Sequence, residues 1–340
     1  MDTLAKLTLL GESAKYDVCA SSCATPKKFK DAAIGRTVPS GVCHSFTPDG
    51  RCVSLFKVLL SNQCEKDCFY CPNRAARDVP RSRFEPEELA SLFMEFYKRN
   101  YVEGLFLSSG VHHSTGRTMQ ELLDTVEILR TRYRFGGYVH LKILPGAGEA
   151  ETEKACRLAN RVSLNMEAPS AVHLGRLSRT KNFAADIMGG MSRIHRQVMQ
   201  QSGVSHSTQF IVGAARESDQ DILSSTVRLY KSYGLKRAYF SAFQPVPGTP
   251  LDGVAGAPVL REHRLYQADF LFRYYGYNLE ELAFNPGGTL DLNMDPKRAF
   301  ALRHSELFPL EINRASLAEL LRIPGIGPRS ARKIVALRRE

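Results

Sequence analysis

The sequence predicts an α/β fold, a partial (β/α)6 barrel of the TIM type with an N-terminal cysteine-containing extension and a small C-terminal all-α domain. Apolar runs of strand length alternate with stretches of helical periodicity through the middle of the chain. Near its end the pattern changes to two short helical segments around a Pro-Gly-x-Gly turn. We therefore divide the chain into an extension (1–52), a barrel (53–285) and a C-terminal domain (286–340).

Six apolar runs are the predicted strands of the barrel. They cover 53–60, 102–108, 138–144, 161–166, 207–213 and 236–243. The helical stretches between them cover 85–99, 118–134, 149–159, 171–201 and 218–233. Parallel strands joined by helices present their chemistry at the carboxyl ends of the strands, so we expect the functional residues there.

Three cysteines follow the first predicted strand with the spacing Cys64-x3-Cys68-x2-Cys71, and Tyr70 precedes the third. Three thiolates on one loop can bind three irons of a [4Fe-4S] cluster and leave the fourth iron open to a small molecule. A structural zinc site usually has four ligands in two pairs, and disulfide frameworks are typical of short secreted chains. The spacing therefore favours a reactive cluster, with zinc or reduced structural thiols as the alternative.

The Cys-x3-Cys-x-aromatic-Cys segment resembles the signature of the radical S-adenosylmethionine (SAM) superfamily. The resemblance implies that the open iron binds the amino and carboxylate groups of SAM. It also implies that an electron from the cluster breaks a carbon–sulfur bond and releases a 5'-deoxyadenosyl radical. An electron donor such as flavodoxin or ferredoxin is then a partner. The protein would orient this chemistry and exclude water from it.

The same resemblance assigns SAM contacts at the ends of four strands. The second strand ends in a Ser-Ser-Gly turn, and Asn-Met-Glu lies at the end of the fourth, where capping the next helix is an alternative role. Ile-x-Gly ends the fifth strand, and the sixth leads into a Pro-Gly-Thr-Pro loop. The implied cofactor-binding residues are Ser108, Ser109, Gly110, Asn165, Glu167, Gln209, Ile211, Gly213 and Ser241.

The C-terminal domain resembles a helix-hairpin-helix. A capping box at Ser316 and Glu319 begins one short helix, and Pro328 begins the second. The glycines between them allow the backbone to approach a phosphate, and the second helix directs N–H groups towards it. The predicted nucleic-acid-binding residues are Gly325, Gly327, Arg329, Arg332 and Lys333. The alternative is an ordinary helical hairpin with a solvated basic face.

The overall charge agrees with a polyanionic partner. The chain has 46 Lys and Arg against 35 Asp and Glu, a formal net charge of +11. The sequence contains no apolar stretch of membrane-spanning length, so we expect a cytoplasmic protein without a membrane partner.

Four more cysteines, Cys19, Cys23, Cys43 and Cys52, precede the cluster loop. They supply enough thiols for an auxiliary cluster or a zinc ion if the extension folds over the barrel. Reduced, partly buried thiols are the alternative.

The combination of these features resembles the bacterial proteins described as DNA modification or repair radical SAM proteins. Residues 43–51, which lead into the cluster strand, are part of that resemblance. It implies an enzyme that binds DNA through its tail and abstracts hydrogen from a base, a sugar or a lesion. Two alternatives remain open. One is the same chemistry on RNA, and the other is a nonenzymatic iron-sulfur protein that binds DNA or senses redox state.

Overall fold

A curved sheet of seven strands forms the centre of the fold in the computed structural model, which describes residues 2–14, 41–46 and 52–338. The strands are β1 (Val42–Phe46), β2 (Cys52–Leu59), β3 (Gly104–Ser108), β4 (Tyr138–Lys142), β5 (Arg161–Ser163), β6 (Ser205–Val212) and β7 (Arg237–Ala242). β2 to β7 are parallel and lie in chain order, which confirms the partial (β/α)6 barrel. β1, which the sequence pattern does not predict, pairs antiparallel with β2.

Eleven α-helices accompany the sheet in the described part of the chain. They are α1 (Thr3–Ser13), α2 (Pro86–Lys98), α3 (Thr115–Thr131), α4 (Glu149–Leu158), α5 (Ala171–Gly175), α6 (Gly189–Gln200), α7 (Asp219–Tyr233), α8 (Val259–Tyr275), α9 (Pro296–Arg303), α10 (Leu317–Leu320) and α11 (Pro328–Leu337). The predicted helical stretch 171–201 is not one helix, since it comprises α5, a π-helical turn at Phe183–Met188 and α6.

β5 ends earlier than its apolar run predicts, because a side chain replaces part of the strand ladder. The Thr208 hydroxyl accepts the Met166 N–H at 2.9 Å and donates to the Leu164 carbonyl at 2.6 Å. The chain after Ser163 can therefore turn away from the sheet without leaving these backbone groups unpaired. This turn brings Asn165 and Glu167 to the end of the barrel.

Helix α2 shows how the helices cover the outer face of the sheet. Pro86 occupies its first turn, and Glu85 and Glu88 form a capping box. Its apolar face buries Phe93, whose ring lies 6.2 Å from Phe56 of β2 and 5.0 Å from Phe135. Burying a side chain of this size contributes about 1.5–3 kcal/mol, so such contacts fix the helix on the sheet.

The inner face of the barrel is positively charged. None of the seven strands contains Asp or Glu, and their only Lys and Arg residues are Lys57, Lys142, Arg161 and Arg237. All four lie at inward-facing positions of the alternating strand pattern. Arg161 lies 3.4 Å from the Tyr239 hydroxyl, and the Arg237 guanidinium carbon lies 5.2 Å from the centre of the same ring. The sheet itself supplies no carboxylate to oppose these charges.

The C-terminal helices dock on the end of α8. The Arg322 guanidinium donates to both carboxylate oxygens of Glu281 (2.8 and 3.0 Å) and to the carbonyls of Tyr275 (2.9 Å) and Gly276 (3.1 Å). α10 and α11 also share a small core around the buried residues Ala315, Leu320 and Ala331. No helix in the described ranges is both long enough and apolar enough to cross a membrane.

Stability should depend on pH through His206, which is fully buried on the outward face of β6. Burial, reinforced by His195 of α6, lowers the pKa of His206 to about 3. In the unfolded chain the imidazole is protonated below about pH 6.5, whereas in the folded chain it stays neutral until the pH approaches 3. Above pH 6.5 the imidazole is neutral in both states and the full stability is present. As the pH falls towards 3, the free energy of unfolding decreases by up to about 1.4 kcal/mol per pH unit. Urea denaturation between pH 7 and pH 4 should show a smaller decrease in the free energy of unfolding for His206→Leu than for the unmodified chain. His263 is exposed, so the control His263→Leu should show the same decrease as the unmodified chain. If the free energy of unfolding falls equally with pH in all three proteins, His206 is not the source of the pH dependence.

Candidate metal and cofactor site

A cavity of about 320 Å³ lies at the carboxyl ends of the parallel strands. Its volume is in the range of small-molecule sites. The three predicted cluster cysteines and all predicted SAM contacts except Gly213 line it. These residues are Cys64, Cys68, Cys71, Ser108, Ser109, Gly110, Asn165, Glu167, Gln209, Ile211 and Ser241. Residues predicted from five separate segments of the sequence thus meet around one space.

The loop after β2 carries the three cysteines and is held in shape by one arginine. The Arg81 guanidinium donates to the carbonyls of Asn62 (2.5 Å), Asn73 (2.9 Å), Arg74 (2.8 Å) and Arg77 (2.8 Å). These four carbonyls flank the cysteines on both sides, so one side chain fixes both ends of the loop. The sequence gives no signal for this role.

A second contact joins the cysteine loop to the segment after α5. The Asp67 carboxylate accepts the hydroxyls of Ser178 (2.6 Å) and Thr180 (2.7 Å) and the N–H of Arg179 (2.9 Å). Burial raises the pKa of Asp67, but these hydrogen bonds outweigh it and lower the pKa to about 2. The same contact explains why the mostly helical stretch 171–201 is interrupted after α5, since residues 178–180 leave helical geometry to reach Asp67.

The cysteine side chains are close enough to influence one another; Cys68 is buried, and Cys64 and Cys71 are partly buried. Burial raises the pKa of Cys71, and the neighbouring Cys68 and Cys64 raise it further. Burial also raises the pKa of Cys68, against the opposing effect of Lys181. A cation bound to all three sulfurs would remove the cost of ionising them together. The donor set therefore fits an iron-sulfur cluster with three cysteine ligands.

Within the described ranges, no three His, Cys, Asp or Glu side chains converge as ligands of a single metal ion. In a [4Fe-4S] cluster each thiolate binds a different iron, so three sulfurs need not converge on one point. The described residues therefore form no mononuclear site of the zinc type, and this does not bear on a cluster bound by three cysteines.

Glu167 and Lys181 form a buried ion pair beside the cysteines. The Lys181 Nζ lies 2.9 Å from Glu167 Oε1, and the two side chains are only 7% and 5% exposed. Burial lowers the pKa of Lys181, but Cys68 and Glu167 outweigh it, so the pKa is raised and the ammonium persists. Glu167 Oε2 is buried and has no hydrogen-bond partner among the described residues. Glu167 also has a positive φ of 62°, which is uncommon outside glycine and is typical of functional sites.

Lys181 is a site residue that the sequence interpretation missed. It lies in the stretch 171–201, which is predicted to be mostly helical, and no motif marks it. Only the interruption of that helix brings its ammonium into the cavity wall. Lys142, at the end of β4, is a second cation in the wall that the interpretation missed.

Gly213 shapes the turn after β6 and does not line the cavity. Its φ of +93° requires glycine, and a Cβ there would lie 2.7 Å from the Ala257 Cβ. Its N–H and that of Ala215 donate to the Glu217 carboxylate. The predicted contact of Gly213 with SAM therefore has no support from the cavity lining.

The structure leaves the second cysteine set as a prediction. Cys19 and Cys23 lie outside the described residues, and the side chain of Cys52 is also outside them. Cys43 lies in β1 opposite Leu55 of β2, which in turn pairs with Gly104 at the amino end of β3. The cluster loop follows the carboxyl end of β2, so Cys43 and the cluster cysteines lie at opposite ends of the barrel.

The predicted nucleic-acid-binding residues lie together at the start of α11. Gly325 has a φ of +86°, and the space around it is open. Gly327 caps α11, and Arg329, Arg332 and Lys333 are exposed on that helix. The arrangement offers backbone N–H groups and side-chain cations on one surface.

Comparison with protein families agrees with this part of the structure. Residues 309–340 match the family model described as a helix-hairpin-helix motif. No curated protein matches the chain.

Three solved structures resemble this chain over about two thirds of its length. Methylornithine synthase (PylB) gives a TM-score of 0.50 at 18% identity, over 63% of this chain and 60% of its own. The FeFe-hydrogenase maturase HydG from Carboxydothermus hydrogenoformans gives 0.51 at 15% identity, over 63% and 49%. A radical SAM methyltransferase from Sphaerobacter thermophilus gives 0.50 at 14% identity, over 66% and 68%. The chain therefore has the fold of radical SAM enzymes in its barrel, followed by a C-terminal helix-hairpin-helix motif.

Proposed function

We propose that this chain is a radical SAM enzyme that binds a [4Fe-4S] cluster through Cys64, Cys68 and Cys71. The observation that carries the proposal is that these cysteines and the strand-end residues expected to contact SAM line one cavity. When bound, the cluster and SAM supply a 5'-deoxyadenosyl radical that can abstract a hydrogen atom.

The residues of the cavity would bind, orient and shield the cofactor. Asn165 from the segment after β5, Gln209 from β6 and Ser241 from β7 offer hydrogen-bonding groups, and Ile211 offers an apolar surface to an adenine ring. Apolar residues form much of the remaining wall, among them Leu59, Val111, Ile143, Leu144 and Phe243. Such a wall keeps water away from a radical.

DNA is the substrate that we propose, with modification or repair as the purpose. The support is the helix-hairpin-helix motif, the exposed cations of α11 and the net charge of +11. A target base would have to leave the stack to reach the cavity. In this proposal the extension (1–52) and barrel (53–285) carry the chemistry, the tail (286–340) binds the backbone, and flavodoxin or ferredoxin supplies the electron.

The test is anaerobic reconstitution followed by reduction and measurement of 5'-deoxyadenosine, with no nucleic acid, with DNA and with RNA. We expect product from the unmodified chain, more product with DNA, and none from a Cys64→Ala, Cys68→Ala, Cys71→Ala variant. Cys156→Ala removes a buried cysteine of α4 and is the matched control, which should keep the activity.

Other outcomes of the same assay point to the alternatives. If RNA raises the yield of 5'-deoxyadenosine and DNA does not, the substrate is RNA and not DNA. A loaded cluster whose spectrum does not change when SAM is added would contradict the enzyme and favour a DNA-binding redox sensor. About four irons per chain would indicate one cluster, and about eight would indicate an auxiliary cluster at Cys19, Cys23, Cys43 and Cys52.

A further inference from the structure

Two aromatic rings stand exposed on α8 beside the helix-hairpin-helix. Phe270 is 47% exposed and Tyr274 is 50% exposed. They lie four residues apart on one face of the helix, with ring centres 4.5 Å from each other. Leu271, on the opposite side of the same turn, is buried, and Phe272 is partly buried, so the exposure is confined to the face that carries these two rings. Large aromatic side chains exposed as a pair indicate a binding surface more often than a single exposed residue does.

The pair is held in place by a rigid cation. The Arg273 guanidinium carbon lies 4.8 Å from the Tyr274 ring centre and 5.9 Å from that of Phe270. Arg273 also donates to the Tyr274 hydroxyl at 3.0 Å and to Asp269 at 2.6 and 2.9 Å. Asp269 is completely buried and also accepts the Tyr230 hydroxyl. Phe270 and Tyr274 are therefore held in this arrangement before any partner binds, which lowers the entropy lost on binding.

The surface is continuous with the hairpin of the C-terminal motif. The Tyr275 ring centre lies 6.2 Å from that of Phe270, and the Tyr275 hydroxyl is 3.4 Å from where a Cβ on Gly327 would be. Lys297 lies over Tyr275 at 4.6 Å and donates to the Ile326 carbonyl of the hairpin at 2.6 Å. Tyr275 thus contacts both the hairpin and Phe270. Lys297 fixes the hairpin next to Tyr275, and therefore beside the exposed pair.

We propose that Phe270 and Tyr274 form a stacking platform for the unpaired bases of a nucleic-acid strand whose backbone is held at the hairpin. The proposal rests on the proposed binding of nucleic acid by the tail. Cations that contact phosphates, together with aromatic rings on which bases stack, are the combination that binds single strands. Arg329, Arg332 and Lys333, which are exposed on α11, provide the charge, since Arg273 is already paired with Asp269. Paired bases are already stacked on each other, so a duplex would gain nothing from the rings.

The test compares a single-stranded oligonucleotide containing 2-aminopurine with the corresponding duplex. The chain contains no Trp, so the fluorescence of the probe is not obscured. We expect quenching on binding and about tenfold weaker single-strand binding for each of Phe270→Ala and Tyr274→Ala, with duplex binding unchanged. Tyr274→Phe should keep most of the affinity because it keeps the ring. Tyr101→Ala is the matched control, since Tyr101 is also 50% exposed but lies between α2 and β3.

The outcomes separate this proposal from the one on which it rests. If neither strand form binds the unmodified chain, docking through the tail fails and the platform fails with it. If Arg329→Gln, Arg332→Gln, Lys333→Gln weakens binding while Tyr274→Ala and Phe270→Ala leave single-strand binding and quenching unchanged, docking stands and the platform is overturned. If the aromatic variants instead dissociate a dimer seen by size-exclusion chromatography, the surface is an interface between copies of this chain, which also overturns the platform.

Discussion

Lys181→Met should lower the free energy of unfolding by about 3–5 kcal/mol, because it leaves a buried carboxylate without its partner. Glu167 is 5% exposed on its side chain, and Lys181 is its sole ion-pair partner in the described part of the chain. Removing the ammonium also removes the cation nearest to Cys68. Urea denaturation under anaerobic conditions measures the stability, and the iron content after reconstitution measures the second effect.

A second substitution separates the loss of the pair from other effects of Lys181→Met. Glu167→Gln in the Lys181→Met background removes the stranded charge and should recover part of the stability. Lys154→Met is the matched control, since Lys154 and Glu127 form a pair at 2.8 Å with side chains 22% and 42% exposed. This pair should contribute no more than about 1 kcal/mol. Equal losses from Lys181→Met and Lys154→Met would contradict the burial of the Glu167 pair.

Gly110→Ala adds only one methyl group but should displace the cysteine loop. A Cβ at Gly110 would lie 2.3 Å from the Gln63 carbonyl oxygen and 3.1 Å from the Cys64 Cβ. The Gly110 N–H donates to the Ser61 carbonyl at 2.7 Å, so neither segment can move without breaking this contact. Overpacking of this kind costs about 1–3 kcal/mol, and here it displaces the backbone that positions the first cysteine. We expect lower iron content and a lower melting temperature.

The matched control for this substitution is Gly116→Ala. Gly116 lies in the first turn of α3, and a Cβ there would make only an ordinary 3.5 Å contact with Glu151. Because alanine favours helix over glycine, this variant should be neutral or slightly stabilising, with full iron content. If Gly110→Ala binds iron as well as Gly116→Ala does, the contact between this turn and the cysteine loop is not required for the site.

The fold could be predicted where its signals are local. Strands β2, β3, β4, β6 and β7 coincide with apolar runs, and the cysteine loop follows β2 as its spacing predicts. β1 escaped prediction because its five residues, Val-Cys-His-Ser-Phe, show neither an apolar run nor a regular alternation of apolar and polar types, so only the pairing with β2 makes them a strand. The C-terminal hairpin was predictable because its capping box and glycines act within a few residues of each other.

The site was predictable at strand ends and not where distant segments meet. The Asp67 carboxylate and the Thr180 hydroxyl are 113 residues apart in sequence, and their hydrogen bond decides where helix 171–201 is interrupted. The position of Lys181 depends on that interruption. Glu167 was predicted as a SAM contact, but Thr180 and Lys181 belong to no motif, so no pattern in the sequence marks the ion pair that Lys181 forms with Glu167 next to the cysteines.

The docking of the tail on α8 has a consequence for how a target would be chosen. Arg322 ties the hairpin to Tyr275, Gly276 and Glu281, so the tail is not a flexible tether. If the tail binds a nucleic-acid strand as proposed, the strand would reach the mouth of the barrel at a fixed distance from its binding site on the hairpin. The selected nucleotide would then be determined by its spacing from the anchored phosphate, and a longer connection before the tail would shift that choice along the strand.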